Sequence, residues 1–383
     1  MKVIMNDEIT GRKRKMIRVT IFYLFFSVGF ALNWGYISEG RAWGLRGHGL
    51  ICEAATHLVE SNELREFLVA RIPMIIHLCN VPDIYWKSLP NDIRKIGDPT
   101  HFIDPEILGL PISKIDTNWK KLKKRFEGKP NRFRPEQTIT NLESELGSLW
   151  WRTEQFFRLG SYEWQKATNF PPPQNRKEEQ DEQLPFNQGV YKGLVFLGVM
   201  GHFVGDASQP FHVTADYDGY RAGHGGIHSY YEDDLVAHLP ADWITQIIEE
   251  AKKIRTQLVE EKKNNFLKEK DILKSMRLFS EVGYQDIPEI YKLDPVISPS
   301  MEKIEKDEKG NKQKVPAIRA PARDSVTTFA PLLRVQMARG ALYLAHLWER
   351  AFKQSQKGKQ SLALLKYKSY RYPFQPEFVA PDY

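Results

Sequence analysis

Apolar residues recur three or four positions apart through residues 48–60 (HGLICEAATHLVE), 136–159 (EQTITNLESELGSLWWRTEQFFRL), 189–206, 241–263 and 324–352. That spacing gathers them into one stripe per helix, and each stripe must be buried against a neighbour. Continuous β-branched runs with turn dipeptides are scarce, so the expected fold class is all-α, a compact domain of several packed helices. The aromatic residues of LWWRTEQFF (149–157) fall at helical spacing and read as core. Two polar, proline-flanked stretches interrupt the pattern, PPPQNRKEEQDEQLP (171–185) and MEKIEKDEKGNKQKVP (301–316), and both read as exposed loops.

Residues 1–42 have the parts of a secretory signal in order. GRKRKMIR is a basic region, Val19–Leu32 an apolar region of 14 residues, and Gly40-Arg41-Ala42 a small-x-small site. Fourteen residues fall short of the roughly 20 that a membrane-spanning helix needs, so removal after Ala42 is expected in preference to an uncleaved anchor. The chain would then be exported, periplasmic or secreted, with residues 43–383 as a single domain starting at Trp43. The net charge of +7 divides into +4 within residues 1–42 and +3 in the rest, which is weak support for a polyanionic partner. Cys52 and Cys79 both lie in the exported part. In an oxidising compartment they can pair, for about 3 kcal/mol, or remain two buried thiols; spacing alone does not decide.

The ten histidines are unevenly spread, with four inside residues 202–228. In HFVGDASQPFH, His202 and Asp206 stand four apart at the end of a helical pattern, so both project from one face. Pro210 ends that helix, and His212 follows. In HSYYE, His228 and Glu232 form a second pair at helical spacing. Neutral imidazoles and carboxylates are what zinc recruits in hydrolytic sites. Asp83 in NVPDIYWK and His101 in GDPTHFID, each read as sitting in a proline-marked turn, are further candidate ligands. A freed α-amino group on Trp43 has a reference pKa near 8 and would offer amine and carbonyl to a cation, with His48 five residues on. His57, His77, His238 and His346 lack partners at ligand spacing and read as ordinary histidines. His224 in a glycine-rich loop is read as a loop residue near the site, and Cys52 is not counted as a ligand.

As a set, Trp43 and His48 in WGLRGH, Asp83 in VPD, His101 in HFID, His202, Asp206 and His212 in HFVGDASQPFH, and His228 and Glu232 in HSYYE resemble the zinc-dependent family uniting single-strand-specific nucleases with bacterial phospholipases C. The resemblance implies a mostly helical fold of that type with three zinc ions per chain. Asp83, His101 and His202, with Asp206 bridging, would hold one; His212, His228 and Glu232 the next; and Trp43, His48 and Asp206 the third. It further implies hydrolysis of phosphate esters by a zinc-bound hydroxide that Asp83 and Asp206 orient. Phe102, following His101, would stack on a base, and Lys87 would touch phosphate. The nucleases carry an arginine three residues after the first aspartate, where this chain has Trp86. Glu232 in place of the usual nuclease aspartate is a phospholipase feature. The leading expectation is a nuclease or 3′-nucleotidase acting on single-stranded nucleic acid or nucleotides and releasing 5′-nucleotides. Alternatives are a phospholipase C on phosphatidylcholine-like lipids and a non-catalytic zinc-stabilised exported protein. No stable protein partner is implied.

Overall fold

The computed structural model describes residues 43–260, 265–306, 312–371 and 373–383. The expected signal segment and cleavage position, residues 1–42, lie outside the described residues. The domain is all-α with two small antiparallel strand pairs. Its helices are α1 (Gly44–Leu58), α2 (Asn62–Val69), α3 (Ile72–Ile84), α4 (Asn91–Gly97), α5 (Trp119–Phe126), α6 (Leu142–Leu146), α7 (Leu149–Ala167), α8 (Arg176–Gln180) and α9 (Pro185–Ser208). After these come α10 (Ile227–Ser229), a π-helical turn (Tyr230–Asp234), α11 (Leu235–Ala237), α12 (Trp243–Glu260), α13 (Ile272–Tyr284), α14 (Ile287–Leu293) and α15 (Ala322–Ser355).

Helix α9 is the axis of the arrangement. Eighteen of its 24 residues are buried, so it is apolar nearly all round, as a helix enclosed by others must be. It packs on α7 and meets α3, α1 and α15 on its other sides. The aromatic run of α7 is core as expected, with Trp150 and Phe156 wholly buried. A disulfide joins Cys52 of α1 to Cys79 of α3, resolving the open alternative in favour of pairing.

Two expectations fail in detail. Residues 136–159 do not form one helix, because the chain breaks at Gly147, whose φ of +78° suits no other residue as well. A Cβ there would also fall 2.1 Å from the Phe102 carbonyl oxygen. The second failure is residues 301–316, which form an antiparallel hairpin of β2 (Met301–Lys306) and β3 (Lys312–Val315) beside the pair β1 (Val296–Ser298) and β4 (Ile318–Arg319). A run this polar carries little period-two hydrophobic signal, so it reads as loop. The stretch 171–185 is largely exposed as expected, with the short α8 inside it.

The last stretch, residues 373–383, has no regular secondary structure and lies along the body. Pro373 carbonyl accepts from His77 Nε2 (2.9 Å), Pro376 carbonyl from Trp86 Nε1 (3.1 Å) and Ala380 carbonyl from Gln155 Nε2 (2.7 Å).

Candidate metal centre

The candidate donors come from six separate segments that α9 brings together. His202 and Asp206 occupy the last two turns of α9, both wholly buried. Helix α9 stops at Ser208 because Gln209 precedes Pro210 and is held extended at ψ 116°. His212 then stands in the short 3₁₀ turn Pro210–Val213. Asp83 lies in the last turn of α3, whose interior contains Pro82, and not in a loop turn as the sequence implied. His101 closes the 3₁₀ turn Asp98–His101. His228 and Glu232 sit four apart across α10 and the π turn, and His48 stands one turn into α1.

Their donor atoms converge. His101 Nδ1 lies 3.0 Å from both Asp206 Oδ2 and His202 Nε2. Asp83 Oδ1 is 3.6 Å from His202 Nε2 and 3.9 Å from His101 Nδ1. His48 Nε2 approaches Asp206 Oδ1 at 3.3 Å, and its ring stacks on His202 with centroids 4.1 Å apart. Glu232 Oε2 is 2.8 Å from His228 Nε2 and 3.7 Å from His212 Nε2. Three sets therefore have ligand atoms within 4.8 Å of one another: His48, Asp83 and His202; His101, His202 and Asp206; and His212, His228 and Glu232. Trp43 is wholly buried, and its backbone nitrogen stands 3.2 Å from Glu232 Oε2. It thus faces the set of His212 and His228 as well as leading into α1 toward His48.

The donors fit a divalent cation. Both ring nitrogens of His48, Nε2 of His212, Nδ1 of His228, Oδ1 of Asp206, Oδ2 of Asp83 and Oε1 of Glu232 are buried with no hydrogen-bond partner among the described residues. Each such atom costs about 1–3 kcal/mol if left unmet. Two imidazoles are already fixed with one nitrogen facing inward: His202 Nδ1 bonds the Cys79 carbonyl (2.8 Å) and His212 Nδ1 the His101 carbonyl (2.7 Å). Carbonyls accept only, so these contacts leave both Nε2 lone pairs for a metal, the usual second layer of a ligating histidine. Zinc suits a set of imidazole and carboxylate donors.

Charge states match ligation for His48, His101, His202 and Glu232, whereas Asp206 and His228 are biased towards protonated forms that a bound cation would have to displace. Burial pushes His101 and His202 well below the ordinary imidazole value and His48 down to about 4, keeping all three neutral near pH 7. Burial holds Asp206 well above the usual carboxylate range, outweighing the opposing charge of His212, with Asp83 adding to the rise. For Glu232 the balance reverses: burial would raise it, but His228 and His212 together pull it to about 2. Burial likewise opposes charge on His228, and Glu232 outweighs it, raising that imidazole.

Several supporting residues carry no signal in the motifs. Gln209 donates Nε2 to Glu232 Oε2 (2.8 Å) and fixes that carboxylate. Glu106 accepts from Thr214 Oγ1 (2.7 Å) and Ala215 N (2.9 Å), anchoring the chain just after His212. Gln209 was findable as the residue ahead of a helix-ending proline; Glu106, 108 residues away from Thr214, was not.

The expected substrate residues are placed less decisively. Lys87 Nζ stands 2.7 Å from Asp83 Oδ1, so its charge is engaged with a candidate ligand. Burial works against that charge, yet Asp83 first, with Asp206 and Glu232, raises its pKa overall. Phe102 is half-buried beside His101. His224 bonds Asp294 Oδ2 through Nδ1 (2.7 Å) and stacks on Tyr291, which makes it a fixed loop histidine. The remaining histidines, His57, His77, His238 and His346, fall in none of the three sets.

No family model matches the chain, and no curated protein does. Among solved structures, the alpha-toxin of Clostridium perfringens, from avian strain SWCP, aligns at TM-score 0.40 and 14% identity over 84% of this chain and 67% of the toxin chain. A likeness that loose carries no argument about activity.

Proposed function

We propose that the chain is an exported zinc-dependent phosphoric ester hydrolase, acting first on single-stranded nucleic acid or nucleotides. One observation supports it above all: three sets of buried imidazole and carboxylate donors, two of them sharing His202, carry unmet lone pairs. Bound zinc would lower the pKa of water toward 7 and stabilise charge building on phosphate oxygens. The chain's own contribution is positional. Asp83 and Asp206 present carboxylate oxygens to the volume shared by His48, His101 and His202, where they can accept a proton from the attacking water and hold it in line. Phe102, half-exposed next to His101, offers a ring to an unstacked base, worth about 1–3 kcal/mol.

A second reading, a phospholipase C acting on phosphatidylcholine, is favoured by one residue. Glu232 stands where the related nucleases have aspartate, and its longer side chain spans both His212 and His228. Purified protein, zinc-loaded, should be given single-stranded DNA, 3′-nucleotides and phosphatidylcholine vesicles. Release of 5′-nucleotides supports the first reading, and diacylglycerol the second. Three zinc ions per chain are expected. Zinc bound without hydrolysis of any substrate leaves a metal-stabilised, non-catalytic protein, and absence of bound transition metal overturns the proposal.

A further inference from the structure

Arg152, in the first turn of α7, is wholly buried and forms no ion pair among the described residues. Its Nη1 donates to Gln155 Oε1 (2.7 Å), while Nε and Nη2 find no hydrogen-bond acceptor among the described residues. These two N–H groups form the side of the guanidinium that grips an oxyanion with two parallel bonds. Four rings surround it, Phe156 at 4.6 Å, Phe203 at 5.4 Å, and Trp86 and Phe378 each at 5.5 Å from the guanidinium carbon, with Asp382 and Tyr383 near enough for their charges to favour its cation. Cation–ring attraction offsets part of the desolvation of a buried guanidinium but meets neither unbonded N–H.

The location is informative. Phe203 separates Arg152 from the metal cluster by one ring, its centroid 5.5 Å from that of His101. On the outer side, Phe378 shares the lining of a small cavity with Lys87, Thr100 and His101. The stretch carrying Phe378 is the unstructured 373–383 segment, and Gln155 links the two: its Oε1 holds Arg152 and its Nε2 holds the Ala380 carbonyl. Phe378, carried by this irregular segment, therefore lies beside the guanidinium and also lines the cavity next to the cluster, as Trp86 does.

We propose that Arg152 is the anchor of an oxyanion subsite that takes a phosphate group, and that the 373–383 segment, through Phe378, is its removable cover. The choice of phosphate over other oxyanions rests on the phosphoester reading of the neighbouring cluster; the presence of an oxyanion subsite does not. It would supply the bidentate grip that Trp86 cannot give and that Lys87, paired with Asp83, lacks the geometry for.

The test follows the Arg152 side-chain N–H resonance in ¹⁵N-arginine-labelled, zinc-loaded protein, assigned by its loss in Arg152→Gln. Inorganic phosphate should shift it saturably, and Phe378→Ala should tighten that binding about tenfold, as expected if the cover is closed nine-tenths of the time. Parallel titrations with a 5′-nucleotide and with phosphocholine decide the source, since the tighter ligand carries the natural phosphate. A resonance that phosphate leaves unmoved in both the unchanged protein and Phe378→Ala overturns the proposal, as Arg152 is then a structural cation alone. If Arg152→Gln fails to fold, Arg152→Lys, which keeps the buried cation, supplies the assignment and the Phe378→Ala comparison then reads the same signal. Zinc content is measured on the same samples, so loss of the metal reading and loss of this one are separately visible.

Discussion

Gly205 shows how narrowly the candidate centre is fitted at the level of single atoms. A Cβ added there would lie 2.6 Å from His48 Nδ1, against a ring already stacked on His202. Neither imidazole has room to retreat, so Gly205→Ala should push His48 from the cluster despite the gain in helix propensity. The expected outcome is a net destabilisation of about 1–3 kcal/mol and less metal per chain, read by thermal unfolding and elemental analysis. Full retention of metal would show that His48 is not a ligand. The histidines and carboxylates were legible in the sequence because their spacing is chemical; Gly205 was not, since a glycine between His202 and Asp206 reveals its role only once α1 is placed against α9. His346 makes a different point. Burial, aided by Arg350, lowers it to about 4 in the fold, from 6.5 when exposed. The unfolded chain therefore binds more protons between those values, and this residue's contribution is intact above pH 6.5 and lost as pH falls toward 4. His346→Gln should flatten the pH dependence of Tm across that window relative to the unchanged protein.

Among elements, α3 is the most instructive, because periodicity did not reveal it. Its sequence IPMIIHLCNVPDI is apolar on all sides and contains two prolines, so it gives neither a stripe nor a clean helical signal. The structure uses Pro73 at its start, where a missing N–H costs nothing, and Pro82 in its final turn. Helix α3 then connects stability to the centre twice over, carrying Asp83 and offering the Cys79 carbonyl to His202. The Cys52–Cys79 disulfide ties it to α1 across a separation of 27 residues. Closing such a loop is worth about 3.5 kcal/mol in the chain-entropy picture. Replacing both cysteines by alanine should lower the unfolding free energy by about that amount, measured by denaturant titration. Because Cys79 positions His202 through its backbone, metal affinity should fall as well. An unchanged metal affinity would mean that packing against α9 alone fixes the His202 carbonyl contact. Helices α7 and α9 were legible because their apolar patterns are long; the α6–α7 break and the 301–316 hairpin were not, since the one depends on a local contact and the other on pairing between polar strands.

Across the whole molecule, the candidate ligands span residues 43 to 232, so the centre exists only when α1, α3, α9 and the 210–237 segment are all in place. A cation there links these elements, and its removal acts on the entire fold: chelation should lower Tm by several degrees, as expected when a ligand binds the folded chain alone. Trp43 is where this global linkage meets processing. Its indole is buried with Nε1 on Ser208 Oγ (2.9 Å), its nitrogen faces Glu232, and Arg46 one turn later holds the Val236 and Leu239 carbonyls (each 2.7 Å). The beginning of α1 is thus locked against the segment that carries His228 and Glu232. Trp43 is also the one non-glycine residue with positive φ among those described, at +48°. A side chain in that region costs roughly 1–2 kcal/mol. Cleavage after Ala42 would abolish that constraint and free an amine beside a carboxylate already turned toward it. Protein beginning at Trp43 should therefore bind one more metal ion, and unfold at higher temperature, than protein carrying a single additional residue ahead of it. Equal metal content in the two would mean that the buried indole, and not a free terminus, is what Trp43 contributes.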